Sequence, residues 1–153
     1  MSQTTPATPN VKQTVPLLNV TDLSASLRFF VDGLEFRMTN RWEPDGRLRW
    51  CWLQLGDAAL MLQEIYADEH HEAPRADCLG QGLTICFMCD DALSIYRQSI
   101  ARGMNPKEPF VGNGLWVVSY TDPDGYRIDF ESPTDVPEET LLSQWERSHN
   151  ASA

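Results

Sequence analysis

The chain has 153 residues, of which 42% are hydrophobic and 22 are acidic against 12 basic, for a formal net charge of −10. A chain of this length is expected to bury its own core as one domain. The negative charge disfavours binding to nucleic acid or anionic membranes and favours cationic ligands. No apolar run reaches the roughly 20 residues of a spanning helix, and the polar N-terminus lacks a secretory signal. The sequence therefore predicts a cytoplasmic protein.

The four cysteines indicate neither a disulfide nor a zinc site. Cys86 and Cys89 are spaced as C-x-x-C, but both fall in a predicted strand, where residues three apart point to opposite faces. Cysteines that remain reduced and pack within the fold are typical of a reducing compartment.

The first half of the chain has the pattern of one compact module. Residues 1–13, rich in Thr and Pro, are predicted to be a disordered tail before a single domain at 14–133. The first module spans 14–65 and opens with a short strand. A helix follows, capped by Asp22 and ended by Gly33, and then come three strands separated by turns at Pro44-Asp45-Gly46 and Gly56-Asp57.

The second half repeats this order of elements. A polar linker at 66–81 separates the modules, and the second module spans 82–133. Gly33 and Gly103 end corresponding helices 70 residues apart, which indicates two copies of one β-α-β-β-β unit. The tail at 134–153 is predicted to contain a short amphipathic helix over PEETLLSQW.

The most informative stretch is residues 122–131, DPDGYRIDFE. Asp, Pro and Gly at its start suit a type I turn. The alternation that follows predicts a strand with Ile128 and Phe130 on an apolar face and Asp129 and Glu131 on a charged face. The charged face of such a strand needs water, a partner or a ligand.

Several motifs together resemble the vicinal oxygen chelate superfamily, which spans glyoxalase I, bleomycin-resistance proteins, fosfomycin-resistance enzymes and extradiol dioxygenases. They are VPLLNVTDLSASLRFFVDGLEF, GDAALMLQE, DPDGYRIDFESP and the paired modules themselves. The resemblance implies an α+β fold in which two tandem βαβββ modules form a curled, open, barrel-like cavity. It also implies a homodimer.

The resemblance does not extend to the metal site. Enzymes of the superfamily hold a divalent ion with side chains from four strand positions, and this chain carries there Val15, Met61, Thr84 and Asp129. Only Asp129 can bind a hard divalent ion, whereas zinc and iron sites need three or four ligands. The three histidines lie elsewhere, His70 and His71 in the linker and His149 in the tail. We therefore expect no metal and no cofactor.

Two arrangements could still support catalysis. Glu64 and Asp129 could combine with a linker histidine, His70 or His71, in a nonstandard metal site. Alternatively, Asp129 or Glu131 could act as a metal-free acid or base. A lone carboxylate beside Arg127 is more often ion-paired.

Strand alternation also predicts the lining of the cavity. The expected ligand-binding residues are Trp50, Trp52, Gln54, Met61, Thr84, Trp116, Asp129 and Glu131, with Trp42 as a further candidate. Aromatic rings beside a few polar groups are suited to a flat or cationic organic ligand. The alternative is that the tryptophans fill the cavity or form a dimer interface.

These features favour a metal-independent, homodimeric binding protein that resembles the bleomycin-resistance branch and takes a cationic or aromatic small molecule. The first alternative is a metal-dependent lyase, isomerase or dioxygenase with a degenerate or relocated metal site. The second is a protein-interaction module. The sequence does not decide whether the protein is an enzyme, and it favours a protein that only binds its ligand.

Overall fold

The computed structural model describes residues 8–66, 72 and 75–151. Its strands are β1 (Leu17–Val20), β2 (Arg37–Trp42), β3 (Trp50–Leu55), β4 (Ala58–Glu64), β5 (Thr84–Met88), β6 (Phe110–Gly112), β7 (Leu115–Thr121) and β8 (Arg127–Pro133). The α-helices are α1 (Leu23–Leu27), α2 (Ala92–Ala101) and α3 (Leu142–Asn150). The strands form two mixed four-stranded sheets, ordered β1-β4-β3-β2 and β5-β8-β7-β6. The predicted α+β class with two βαβββ modules is confirmed, and the sheets formed by the described residues do not close into a barrel.

Both module helices begin after an aspartate cap, and the first begins at the Asp22 cap that the sequence predicts. The Asp22 carboxylate accepts a hydrogen bond from the Ala25 N–H at 3.1 Å, and Asp91 caps α2 in the same way. Each bond satisfies an N–H group that has no partner within its helix. After Leu27 the first helix widens into a π-helical segment, Arg28–Gly33, which the sequence did not predict.

The two modules share one strand register. Leu17 lies opposite Met61 in the first sheet, and Cys86 lies opposite Asp129 in the second, each across a parallel pair of strands. Met61 and Asp129 thus occupy equivalent positions in the two sheets.

One continuous core joins the modules. Phe36 of the first module packs against Phe87 of the second, with ring centroids 5.5 Å apart, and Phe87 stacks on Phe130 at 5.3 Å. The Tyr126 hydroxyl also donates a hydrogen bond to the Asn19 carbonyl at 2.9 Å. The helix-side faces of the sheets meet in this core, so their other faces point away from it.

One strand of the second module and the C-terminal helix differ in extent from the prediction. The strand that the repeated order of elements places after the second helix is only Phe110–Gly112, since Pro106 and Pro109 lack the N–H groups that a strand ladder needs. The C-terminal helix begins at Leu142 rather than in the Pro-Glu-Glu segment. That segment leads into extended chain along β6, where the Glu139 N–H donates to the Val111 carbonyl at 2.8 Å.

No helix among the described residues combines the length and apolar character needed to cross a membrane.

Two open sheet faces as the candidate binding site

The first sheet presents three of the five tryptophans on the face away from the core. Trp42 pairs with Trp50 across β2 and β3, and Trp52 pairs with Met61 across β3 and β4. Cross-strand partners share a face, and so do residues two apart on one strand, which places Gln54 beside Trp52 on the same face. Trp50 and Trp52 are half-buried, and Trp42 is 50% exposed. We call Trp42, Trp50, Trp52, Gln54 and Met61 the first open face.

The second sheet presents polar groups on its corresponding face. Cys86 and Asp129 are neighbours across β5 and β8, and Met88 and Glu131 follow in the same register. Thr84 and Cys86 are exposed, and Glu131 is half-buried. We call Thr84, Cys86, Met88, Asp129 and Glu131 the second open face.

Asp129 is already paired in this structure. The Arg127 Nε donates to Asp129 Oδ1 at 3.0 Å, and its Nη2 donates to the Ser119 hydroxyl at 3.2 Å. The hydrogen bond to Asp129 raises the pKa of Arg127. Asp129 is only 3% exposed, whereas about half of the arginine side chain is accessible. The carboxylate has the ion-paired environment that the sequence offered as the alternative to acid–base catalysis.

The prediction that Trp116 lines the cavity is wrong. Trp116 pairs with Ser132, which places it on the core side of the second sheet. It is 6% exposed and meets the Trp145 ring edge-on at 6.1 Å. The strand LWVVSYT carries bulky residues on both faces, so alternation alone could not assign the face. For the same reason the sequence could not predict that Ser119 lies opposite Asp129 on the second open face.

The residues at the four family metal positions do not fit a metal ion. Val15 and Met61 offer no hard ligand atom, and Thr84 offers only a neutral hydroxyl. Asp129 is the single carboxylate of the set, and Arg127 already binds it.

A different group of possible ligands lies on the second open face. Atoms of Cys86, Asp129 and Glu131 all lie within 4.8 Å of one another. Burial, and then the charge of Glu131, raise the pKa of the Cys86 thiol. A metal needs the thiolate, so this environment opposes coordination.

Glu64 cannot join that group, because it lies on the core side of the first sheet. One of its carboxylate oxygens accepts the Leu23 N–H at 3.3 Å, and the other accepts hydrogen bonds from Arg47 and Arg49. The combined Glu64 and Asp129 metal site is therefore wrong. The linker histidines of that hypothesis, His70 and His71, lie outside the described residues.

The fold and its faces define a two-module α+β protein with an aromatic sheet face and an acidic one. A family model described as the Glyoxalase/Bleomycin resistance protein/Dioxygenase superfamily matches residues 11–130. The chain belongs to this superfamily. Among curated proteins, no sequence matches it.

Solved structures show the same fold. TioX from Micromonospora sp. ML1 is 20% identical at a TM-score of 0.62, covering 80% of this chain and 99% of its own. The structure of a bleomycin-binding protein with bleomycin is 21% identical to this chain at a TM-score of 0.60. The match covers 80% of this chain and 98% of the other. Lactoylglutathione lyase from Agrobacterium tumefaciens is 22% identical to this chain at a TM-score of 0.60. The match covers 82% of this chain and 96% of the other. The similar structures therefore include both a binding protein and an enzyme.

Proposed function

We propose that this protein is a metal-independent, cytoplasmic binding protein that holds a cationic or aromatic small molecule against the tryptophans of the first open face. The observation that carries the proposal is the group of Trp42, Trp50 and Trp52 on one accessible sheet face. Indole rings bind flat molecules by stacking and bind cations through their electron-rich faces. The net charge of −10 favours a cation over an anion.

The second open face would supply the polar contacts. Glu131 and the paired Asp129 offer carboxylate oxygens, and Thr84 offers a hydroxyl. The solved complex of the bleomycin-binding protein, which has the same fold, supports a small-molecule ligand for this architecture.

We further propose that the binding cavity lies at or near the interface of a homodimer. Large apolar side chains project from both open faces, with Met88 63% and Trp42 50% exposed. A second copy would cover these groups and would bring an acidic face against an aromatic one. Sedimentation velocity should show a dimer at micromolar concentration. A strictly monomeric protein would remove this part of the proposal.

The binding proposal is tested by titrating planar aromatic cations, and bleomycin, into the protein by calorimetry. We expect micromolar affinity and expect Trp52→Phe to weaken it about fivefold or more, since a smaller ring stacks less strongly. The control is Phe29→Leu, which removes an aromatic ring from the π-helical segment and not from either open face, and should leave affinity unchanged. No binding across the panel, or equal effects of both variants, would refute the proposal.

A second candidate is a metal-dependent lyase, isomerase or dioxygenase with a relocated site. The cluster of Cys86, Asp129 and Glu131 is the observation that favours it. Metal analysis of protein purified without chelators separates the candidates. Stoichiometric metal that disappears in Asp129→Asn would establish a metal site there, favour the enzyme and overturn the metal-independent binding proposal.

A further inference from the structure

The C-terminal segment, residues 134–149, forms an open pocket of about 580 Å³ whose lining includes no residue of either open face. The family match ends at residue 130, before this segment begins. The residues that line the pocket therefore lie beyond the part of the chain that the family model matches. The pocket volume falls within the range of sites for small organic ligands.

The walls of the pocket are held firmly in place. The Glu138 carboxylate accepts hydrogen bonds from the N–H groups of Asn113 and Gly114, at 2.9 and 2.6 Å. On the helix side, Trp145 packs edge-on against the buried Trp116. A pocket fixed from both sides loses little conformational entropy when a ligand enters.

The lining combines aromatic and apolar surface with one carboxylate. The His149 ring lies 4.4 Å from the Trp145 ring at a shallow angle of 31°, and its Nδ1–H donates to the Trp145 carbonyl at 2.8 Å. Val136 and Pro137 form apolar wall. Within the described part of the chain, the exposed Asp135 carboxylate has no hydrogen bond or ion pair.

The charges at this pocket select the ligand. Among the described residues, no Lys or Arg belongs to its lining. By contrast, the groove between the modules, about 610 Å³, is lined by Arg102 as well as by carboxylates. Aromatic rings beside an unpaired carboxylate attract a cation, and the volume is much larger than a bare ammonium ion requires.

We infer that the C-terminal pocket binds an organic cation with a flat aromatic body, at a site distinct from the first open face. The aromatic body lies against Trp145 and the apolar wall, and the positive charge faces Asp135. This site does not depend on the proposed function of the open faces, since the two share no residue.

The test uses acridine orange as the cationic probe and acridone as its neutral planar counterpart, with affinity measured by equilibrium dialysis. Asp135→Asn should weaken binding of the cation by about threefold to fivefold, the loss expected for one solvent-exposed ion pair. Acridone should bind more weakly than the cation and respond little to the variant. Asp45→Asn, in an exposed turn, removes the same charge elsewhere and should leave affinity unchanged.

Trp52→Phe separates this pocket from the first open face. Asp135→Asn should lower the affinity for the cation by the same factor in the Trp52→Phe protein as in the parent. Trp145→Phe keeps an aromatic ring in place and should also weaken cation binding. The inference is overturned if Asp135→Asn binds the cation as tightly as the parent, if Asp45→Asn loses as much affinity, or if acridone binds equally well.

Discussion

Arg127 and Asp129 stand two residues apart on β8 and form an ion pair with an Nε–Oδ1 distance of 3.0 Å. The arginine is half exposed and the carboxylate is buried, so a ligand arriving at the second open face meets the guanidinium first. The acidic character of this face is therefore partly masked by one residue.

Removing Arg127 should increase the affinity of the open faces for cations. In Arg127→Gln, the Asp129 carboxylate loses its positive partner and becomes available, and we expect calorimetry to show affinity higher by on the order of fivefold. Arg127→Lys retains the charge and should behave like the parent. Stability should fall by about 1–2 kcal/mol, since a buried acceptor loses its hydrogen bond. Unchanged or weaker cation binding would show that Asp129 does not contact the ligand.

Glu64 should contribute far more to stability than to binding. Its carboxylate links the start of α1 to Arg47 and Arg49 on the core side of the first sheet. We expect Glu64→Ala to lower the free energy of unfolding in urea by about 2–4 kcal/mol.

Ser132 offers the comparison in the second module. Its hydroxyl accepts the Ala92 N–H at 2.9 Å, as Glu64 accepts that of Leu23. Ser132→Ala should cost only about 1 kcal/mol, the value of a neutral cap. Equal losses for the two variants would mean that the arginine pairs of Glu64 add nothing.

Asp122 should make stability depend on pH. Burial raises its pKa from 3.8 to about 6, and its Oδ2 has no hydrogen-bond partner among the described residues. Because the folded-state pKa lies above the unfolded value, the folded protein binds more protons between pH 4 and 6. This group therefore destabilises the fold at pH 7 and ceases to do so as the pH falls through 6 towards 4.

The Asp122→Asn variant isolates this contribution. Relative to the variant, the parent should gain about 2–3 kcal/mol of unfolding free energy as the pH falls from 7.5 to 4. Urea denaturation across that range measures the difference. Asp45→Asn, at an exposed turn, should follow the pH curve of the parent. Parallel curves for the parent and Asp122→Asn would contradict the assignment.

Tyr126 should couple the two modules. Its hydroxyl donates to the Asn19 carbonyl, and the neighbouring Asp124 carboxylate accepts from the Thr21 hydroxyl at 2.6 Å. Tyr126→Phe should lower stability by about 1 kcal/mol while unfolding remains a single transition, since the aromatic core still joins the modules. Two separate transitions, followed by fluorescence and circular dichroism, would show that this hydrogen bond is the main link.

Much of the fold could be predicted because local chemistry and periodicity agree. The caps Asp22 and Asp91 precede clear helical patterns, and the turn before Arg127 leads into clean alternation. The fold class then follows from the repeated order of elements.

The errors have physical causes. Trp116 lies in a strand that is apolar on both faces, so its direction depends on pairing with β8, which local sequence does not encode. The sequence pattern places the start of α3 too early, because Glu139 and Thr140 hydrogen-bond to Val111 instead of continuing a helix. The role of Glu64 is not visible in local sequence, because it depends on two arginines and a helix end distant in sequence.

The run of chain beside β6 has a consequence for how molecules of this protein meet one another. β6 pairs with β7 along one edge. Along its other edge it contacts residues 139–141, through hydrogen bonds to Val111 and a β-bridge from Phe110 to Leu141. A strand that is hydrogen-bonded along both edges has no free backbone groups with which to pair with a strand from a neighbouring molecule. A protein cut after Pro133 would lose this protection, and the second sheet would become a seed for aggregation.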